Sequence, residues 1–365
     1  MSLSGGTGLR VLVVNSFSDR SEVGLWLGLA KAGVEIHLAC DATAPEQQVL
    51  REAGIVVNPI AIRHRLDIAA VRELRRRLRA TSFDIIHATR NSGVSVMLIA
   101  SRGMACKRVA YRGTVGHVSW FDPASWLTYL NPRLDRIICV SDAVRRYLLS
   151  FRLPESRLVT ICKGFDIEWY SPASRTKLVE LGIPADSFVV GFAGDMRPVK
   201  GVNDLINSAH YLPDGSRIHY LLVGRVRDEK LKDLTYVSNM RDRIHFTGFR
   251  QDAPGLIGAC NAVVMPSIAR EGIGKAAIEG MAQGVPPIVT SVGGLPEIVM
   301  PNESGLIVPP KNPRAIADAI MKLAENPELC KSLGARAKER IRTCFSVQVA
   351  VDRTLKLYRE LAQER

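Results

Sequence analysis

From residue 9 the chain alternates two kinds of segment. Short runs of nearly continuous apolar character lie at 9–15, 34–40, 55–60, 84–88, 107–113 and 135–141. Between them, at 21–32, 67–80, 93–102 and 142–151, apolar positions return every three or four residues. The first kind reads as parallel strands covered on both faces, the second as amphipathic helices. Such alternation predicts a doubly wound α/β domain. The pattern then restarts, with strand runs at 187–195, 218–225, 243–249, 261–267, 286–292 and 305–310, again separated by helical stretches. From about Pro313 it becomes helical and ends in the amphipathic segment VQVAVDRTLKLYRELAQER. The stretch 161–174, ICKGFDIEWYSPAS, follows neither period and carries Gly164 and Pro172 as breakers, which places the linker there. The expected division is residues 1–165, residues 166–345, and a C-terminal helix over 346–365 that packs back toward the first domain. Two Rossmann-like α/β domains of this kind direct their strand ends, and so their ligand sites, toward one cleft.

At 365 residues the length fits two domains, each large enough for its own core. No run approaches the ~20 apolar residues of a membrane span. The opening MSLSGGTGLRVLVVNS lacks the layout of a signal peptide, so the expected location is cytoplasmic. The seven cysteines (40, 106, 139, 162, 260, 330 and 344) have no close pair, and they read as buried free thiols rather than metal or redox ligands. Net charge is +13, and residues 1–165 carry most of it, with 23 Lys and Arg against 13 Asp and Glu. Such a field favours an acidic partner. In the segment 66–81, Ile68, Val71, Leu74 and Leu78 form an expected core face and Arg72, Arg75, Arg76 and Arg79 point outward. That arginine face is either simply solvated or a surface for anionic lipid. No nucleic-acid partner is expected, since aromatics are sparse and no nucleic-acid motif is visible.

Three segments carry candidate chemistry. EGIGKAAIEGMAQGVPPIVTSVGGLPEIV, from Glu271, follows a predicted strand through a glycine-bearing loop into a helix expected near Lys275. Such a helix start offers free N–H groups to an anion. Glu271 and Glu279 stand about two helical turns apart and share a face if the helix begins early. Carboxylates there accept hydrogen bonds from sugar or ribose hydroxyls. FAGDMRPVKGVNDLI, residues 192–206, ends a strand and opens a helix, so Arg197 and Lys200 reach toward a ligand. AYRGTVGHVSWFDP, residues 110–123, holds His117 in a loop, with Trp120 and Phe121 either over a sugar face or anchoring the loop in the core. Arg90 and Asn91, after the strand run 84–88, are further candidates, or a plain capped helix start.

The first of these segments resembles the signature of glycosyltransferase family 4, retaining enzymes of the GT-B fold. Glu271, Gly272, Gly274, Glu279, Gly280, Met281, Gly284, Pro286, Gly293, Gly294, Glu297 and Ile298 occupy the family's positions. The resemblance covers about 187 to 325 and, more loosely, the first domain. It implies α/β GT-B architecture and transfer of a sugar from a UDP- or GDP-sugar donor to an acceptor hydroxyl. The acceptor it implies is a glycan or glycolipid, such as a polysaccharide or lipopolysaccharide precursor. It further implies retention of anomeric configuration and no metal or other cofactor. By position, Arg197 and Lys200 would hold the donor diphosphate, with amides of Gly272, Ile273 and Gly274 and the helix start at Lys275. Glu279 would hold the ribose, Glu271 the sugar hydroxyls, and His117 the sugar or acceptor. Gly248, Phe249 and Arg250 would face the base. Two departures stand out. Asp195 occupies the position of the usual family Arg, with Arg197 in its place in an RPVKG variant. Ser16 and Phe17 stand where many members have a Gly-Gly pair. The remaining readings are a GT-B epimerase acting on one nucleotide sugar alone, and a non-catalytic protein that binds sugar nucleotides. The expected location extends to the inner face of a cytoplasmic membrane as a peripheral protein.

Overall fold

The structure, a computed structural model, describes residues 8–238 and 240–364 and divides into two compact units. One runs through Gly164 and takes in the final segment from Val347; the other spans Phe165–Ser346. In the first unit, Arg10–Val14 (β1), Glu35–Cys40 (β2), Val56–Pro59 (β3), Ile85–Ala88 (β4), Lys107–Arg112 (β5), Arg136–Cys139 (β6) and Leu158–Thr160 (β7) form one parallel sheet. Its order is β3-β2-β1-β4-β5-β6-β7. Four of the five β1 residues and all four of β4 are buried, because helices cover both faces of the sheet.

Local chemistry sets the helix starts. Asp19 and Glu22 make a capping box at Arg20–Lys31, each carboxylate accepting the other's backbone N–H at 3.0 Å. Asp67 caps Ile68–Ala80 through the Ala70 amide, also at 3.0 Å. The C-terminal helix Val347–Gln363 packs on Arg20–Lys31 within this unit, with Val351 seated where a side chain at Gly28 would stand. Val351, Leu357, Tyr358 and Leu361 join Trp26 and the β1 and β2 residues in one core.

The second unit holds Phe188–Ala193 (β8), Ile218–Val223 (β9), Ile244–Gly248 (β10), Ala262–Met265 (β11), Pro287–Thr290 (β12) and Leu306–Val308 (β13). They form a parallel sheet of order β10-β9-β8-β11-β12-β13. In both sheets the order reverses beside the first strand of the unit, between β1 and β4 and between β8 and β11. Loops leaving the strand ends at such a point diverge and leave room for a ligand.

Several expectations change. β7 was not foreseen, nor were the short helices Gln47–Glu52 and Pro123–Trp126. Ile68 is 64% exposed: the capping turn at Asp67 rotates the helix so that Ala70, Leu74 and Leu78 face the core. Arg75 does not point away into solvent. It donates to the carbonyls of Ala100 (2.9 Å) and Arg102 (3.1 Å), satisfying the end of the neighbouring helix Asn91–Ala100. Of the cysteines, Cys40, Cys139 and Cys260 are buried, whereas Cys344 is exposed at the end of its helix. The stretch 161–174 is irregular yet firmly packed: Phe165 is buried and the Ala173 amide bonds to the Gly255 carbonyl at 2.8 Å. Among the described residues no helix is long and apolar enough to cross a membrane.

Candidate active site

In the second unit a cavity of about 560 Å³ opens at the ends of β8, β9, β10 and β11. Arg197, Lys200, Phe249, Arg250, Glu271, Lys275 and Glu279 line it. Sequence places these residues on three separate segments, and backbone contacts bring the segments together. Gly201 follows Lys200 with a left-handed backbone (φ 66°), and a Cβ there would stand 1.9 Å from the Pro266 carbonyl oxygen. The Ile268 amide also bonds to the Val199 carbonyl at 2.9 Å. The turn that carries Lys200 is therefore pressed onto the loop leaving β11. Gly293 does the same from the other side. Its φ is 57°, and a Cβ would lie 2.0 Å from the Glu271 carbonyl oxygen, which also accepts the Gly294 amide at 3.2 Å. Only glycine tolerates such approaches.

Held this way, the Glu271 carboxylate meets Lys200 Nζ at 2.7 Å and accepts the Ser267 hydroxyl at 2.8 Å. The Thr290 hydroxyl on β12 in turn donates to the Ser267 carbonyl at 2.6 Å. Glu271 is only 8% exposed and the Lys200 side chain 20%. Lys200 is thus no free surface charge: it sits in a half-closed ion pair. The helix begins at Lys275, so Glu271 belongs to the loop and does not share a helical face with Glu279; the loop aims Glu271 into the cavity and the helix aims Glu279. Glu279, 9% exposed, stands one turn into the helix with Lys275 Nζ at 3.6 Å.

Gly272, Ile273 and Gly274 are not among the residues that line the cavity. Ile273 packs into the core, and Gly274 caps the helix against Leu295. Arg250 is held in a two-pronged pair with Asp252, both contacts 2.8 Å. That arginine pulls the Asp252 carboxyl down to about 2. Arg225 stacks 5.0 Å over the exposed Phe249 ring. Asp195, at the wall, has Arg227 at 3.7 Å. Ser267, Thr290 and Arg225 escaped the sequence reading, since nothing local marks a hydroxyl that supports a carboxylate or a cation that backs an aromatic ring.

The first unit has its own cavity, of about 1070 Å³, at the ends of β1, β3, β4, β5 and β7. His117, Arg90 and Asn91 line it, and so do His64, Arg65, Arg112 and Lys163, which the sequence did not single out. His117 adopts a left-handed backbone (φ 60°), uncommon for a residue with a Cβ. Trp120 and Phe121 are not core anchors: Phe121 is 97% exposed, and the Trp120 ring packs on Trp126. Ser16 and Phe17 belong to a loop that Arg90 fastens through Asn15 Oδ1 and the Phe17 carbonyl, both at 3.0 Å.

Comparison with known proteins accords with this geometry. Residues 24–169 match the family Glycosyltransferase Family 4, and residues 174–340 match Glycosyl transferases group 1. The D-inositol 3-phosphate glycosyltransferase of Saccharomonospora viridis is 33% identical over 215 residues, 55% of this chain and 49% of that protein. The lipopolysaccharide core biosynthesis glycosyltransferase LpsD of Rhizobium meliloti is 34% identical over 198 residues, 51% of this chain and 54% of LpsD. The chain thus spans about half the length of these curated relatives. Among solved structures, Anabaena Alr3699/HepE in complex with UDP superposes with a TM-score of 0.80 at 22% identity, covering 96% of this chain and all of that one. The fold is that of GT-B glycosyltransferases. Two family matches that together reach from residue 24 to residue 340, on a fold and a Glu271–Glu279 segment of the same kind, show that the chain belongs to the group 1 glycosyltransferases of family 4.

Proposed function

We propose that the protein transfers a sugar from a nucleotide-sugar donor to an acceptor hydroxyl. The observation that carries this is the second unit's cavity, where Lys200 and Arg197 from one segment converge with Glu271 and Glu279 from another. Lys200 and Arg197 take the diphosphate; Glu279, fixed on its helix, takes the ribose hydroxyls. Glu271 exchanges part of its contact with Lys200 for hydroxyls of the sugar. In the reaction the bond from the anomeric carbon to the diphosphate breaks and a bond to the acceptor oxygen forms on the same face. The acceptor proton passes to the departing phosphate, and the same-face attack retains the configuration. Charge grows on that phosphate as the bond breaks, and cations fixed beforehand stabilise it without reorganisation. They supply the positive charge that a metal ion supplies elsewhere, so the reading includes metal independence.

HepE, of similar fold, was solved with UDP, which supports a uridine donor here. The relatives that act on inositol 3-phosphate or build lipopolysaccharide core support an acceptor in polysaccharide or glycolipid assembly. The reading includes peripheral contact with an anionic membrane surface through Arg72, Arg76 and Arg79, though Arg76 already pairs with Glu73 at 2.6 Å. The test is incubation of the purified protein with UDP- and GDP-sugars, each with a panel of acceptors. Acceptor-dependent release of UDP or GDP, with the sugar joined in the donor's anomeric configuration, is expected. Isomerised nucleotide sugar formed without any acceptor would replace transfer with epimerisation.

A further inference from the structure

The first unit's cavity is built from charges that do not balance. Its carboxylates, Asp19 and Glu22, both engage Lys163, at 2.7 and 3.2 Å. Its arginines have no such partner: among the described residues no carboxylate lies within ion-pair distance of Arg65, Arg90 or Arg112. Arg112 is 3% exposed. It donates to the carbonyls of Thr114, at 3.0 Å, and Gly116, and lies 4.5 Å over the Tyr129 ring. Its hydrogen bonds are met while its charge is not neutralised. Among the described residues the Arg90 side chain bonds only to neutral oxygens, those of Asn15 and Phe17. Among the described residues the Arg65 side chain has no hydrogen-bond or ion-pair partner.

A buried cation without counter-charge, as Arg112 is, raises the potential of the space it borders, and the low local dielectric around it strengthens that potential; Arg65, half-buried, and Arg90, exposed, add to it from the rim. The helix Asn91–Ala100 adds to it, since it starts at the same cavity with Arg90 at its cap and no side chain bonded to its first amides. A planar guanidinium with unused donors, such as Arg65, matches the oxygen pairs of a phosphate. We propose that this cavity takes an acceptor bearing a phosphate group, with Arg65 as its direct ligand and Arg112 and Arg90 supplying the field. The inference rests on the sugar-transfer reading, in which the donor nucleotide occupies the second unit and this cavity is left for the acceptor. The phosphate can belong to a soluble sugar or polyol phosphate or to a lipid headgroup.

Calorimetric titration of the full chain with UDP, then with glucose 6-phosphate and with glucose, tests this; the sugar titrations are run with and without saturating UDP. Vesicles of phosphatidylcholine with and without phosphatidic acid form the lipid arm. The expected result is tighter binding of the phosphorylated partner in at least one arm, by about tenfold, the effect of one charge-assisted contact. Arg65→Gln should remove that preference while UDP binding stays as in the wild type. Equal binding of phosphorylated and neutral partners in both arms, or a preference that survives Arg65→Gln, overturns the inference. Failure of UDP to bind strikes instead at the donor reading, and the phosphate comparison without UDP still decides this one.

Discussion

The 2.7 Å contact between Lys200 and Glu271 governs the behaviour of two variants. Lys200→Ala leaves Glu271 a largely buried carboxylate with one hydroxyl for company, which costs roughly 1–3 kcal/mol of stability. It also removes a cation from the leaving phosphate, for a fall in kcat of ~10²–10³-fold. The two effects separate in the double variant Lys200→Ala/Glu271→Gln. Its melting temperature should return most of the way to wild type, because the stranded charge is gone, while turnover stays low. If single and double variants melt together, the pair does not stabilise the fold. Glu279→Ala should act chiefly on donor KM, since ribose contacts change little during the reaction. At this scale the sequence exposed the residue types but not their pairings. Lys200 and Glu271 are 71 positions apart, and what joins them is a backbone approach at Gly201 and Gly293 that no local pattern announces.

His87 on β4 and Tyr358 on the C-terminal helix meet at 2.6 Å in the first unit's core, beside Trp26. Burial holds the His87 imidazole down at about 3, against an ordinary 6.5. The folded protein keeps it neutral, whereas the unfolded chain takes up a proton as pH falls below about 6.5. Its contribution to stability is therefore complete above that pH and is lost between there and about 3. One such proton gives a slope of up to about 1.4 kcal/mol per pH unit. Urea unfolding at pH 7 and pH 5 should show this loss, and His87→Phe should reduce it. An unchanged difference would contradict the assignment. His219, lowered to about 4 by burial and by His245, and His245, itself lowered by burial, contribute to the slope that remains. Tyr358→Phe should cost about 1 kcal/mol, read as a lower urea midpoint. The long elements were legible because two-sided burial writes itself as apolar runs and the helices keep their period. β7 was not, since three residues between Arg157 and Ile161 give too short a signal. The helix Gln47–Glu52 has only six residues and no side-chain cap to mark it.

For the molecule as a whole, the doubled strand–helix pattern and the Glu271–Glu279 segment were enough to indicate fold and family. The first unit's cavity was not legible in the same way. Its lining comes from the ends of five strands, and single residues such as Arg65 or Lys163 carry no motif. If Lys200 and Arg197 supply the positive charge at the leaving group, turnover should be unaffected by EDTA. Activity abolished by chelation and restored by magnesium or manganese would contradict that. The central claim is that the second unit's cavity is a nucleotide-sugar site, and calorimetric titration with UDP and GDP meets it most directly. The account predicts that one of the two binds at one site per chain, and that Glu279→Ala, still folded, binds it about tenfold more weakly or worse. If neither nucleotide binds the folded wild-type protein, or if Glu279→Ala and Lys200→Ala both bind as the wild type does, the account is wrong.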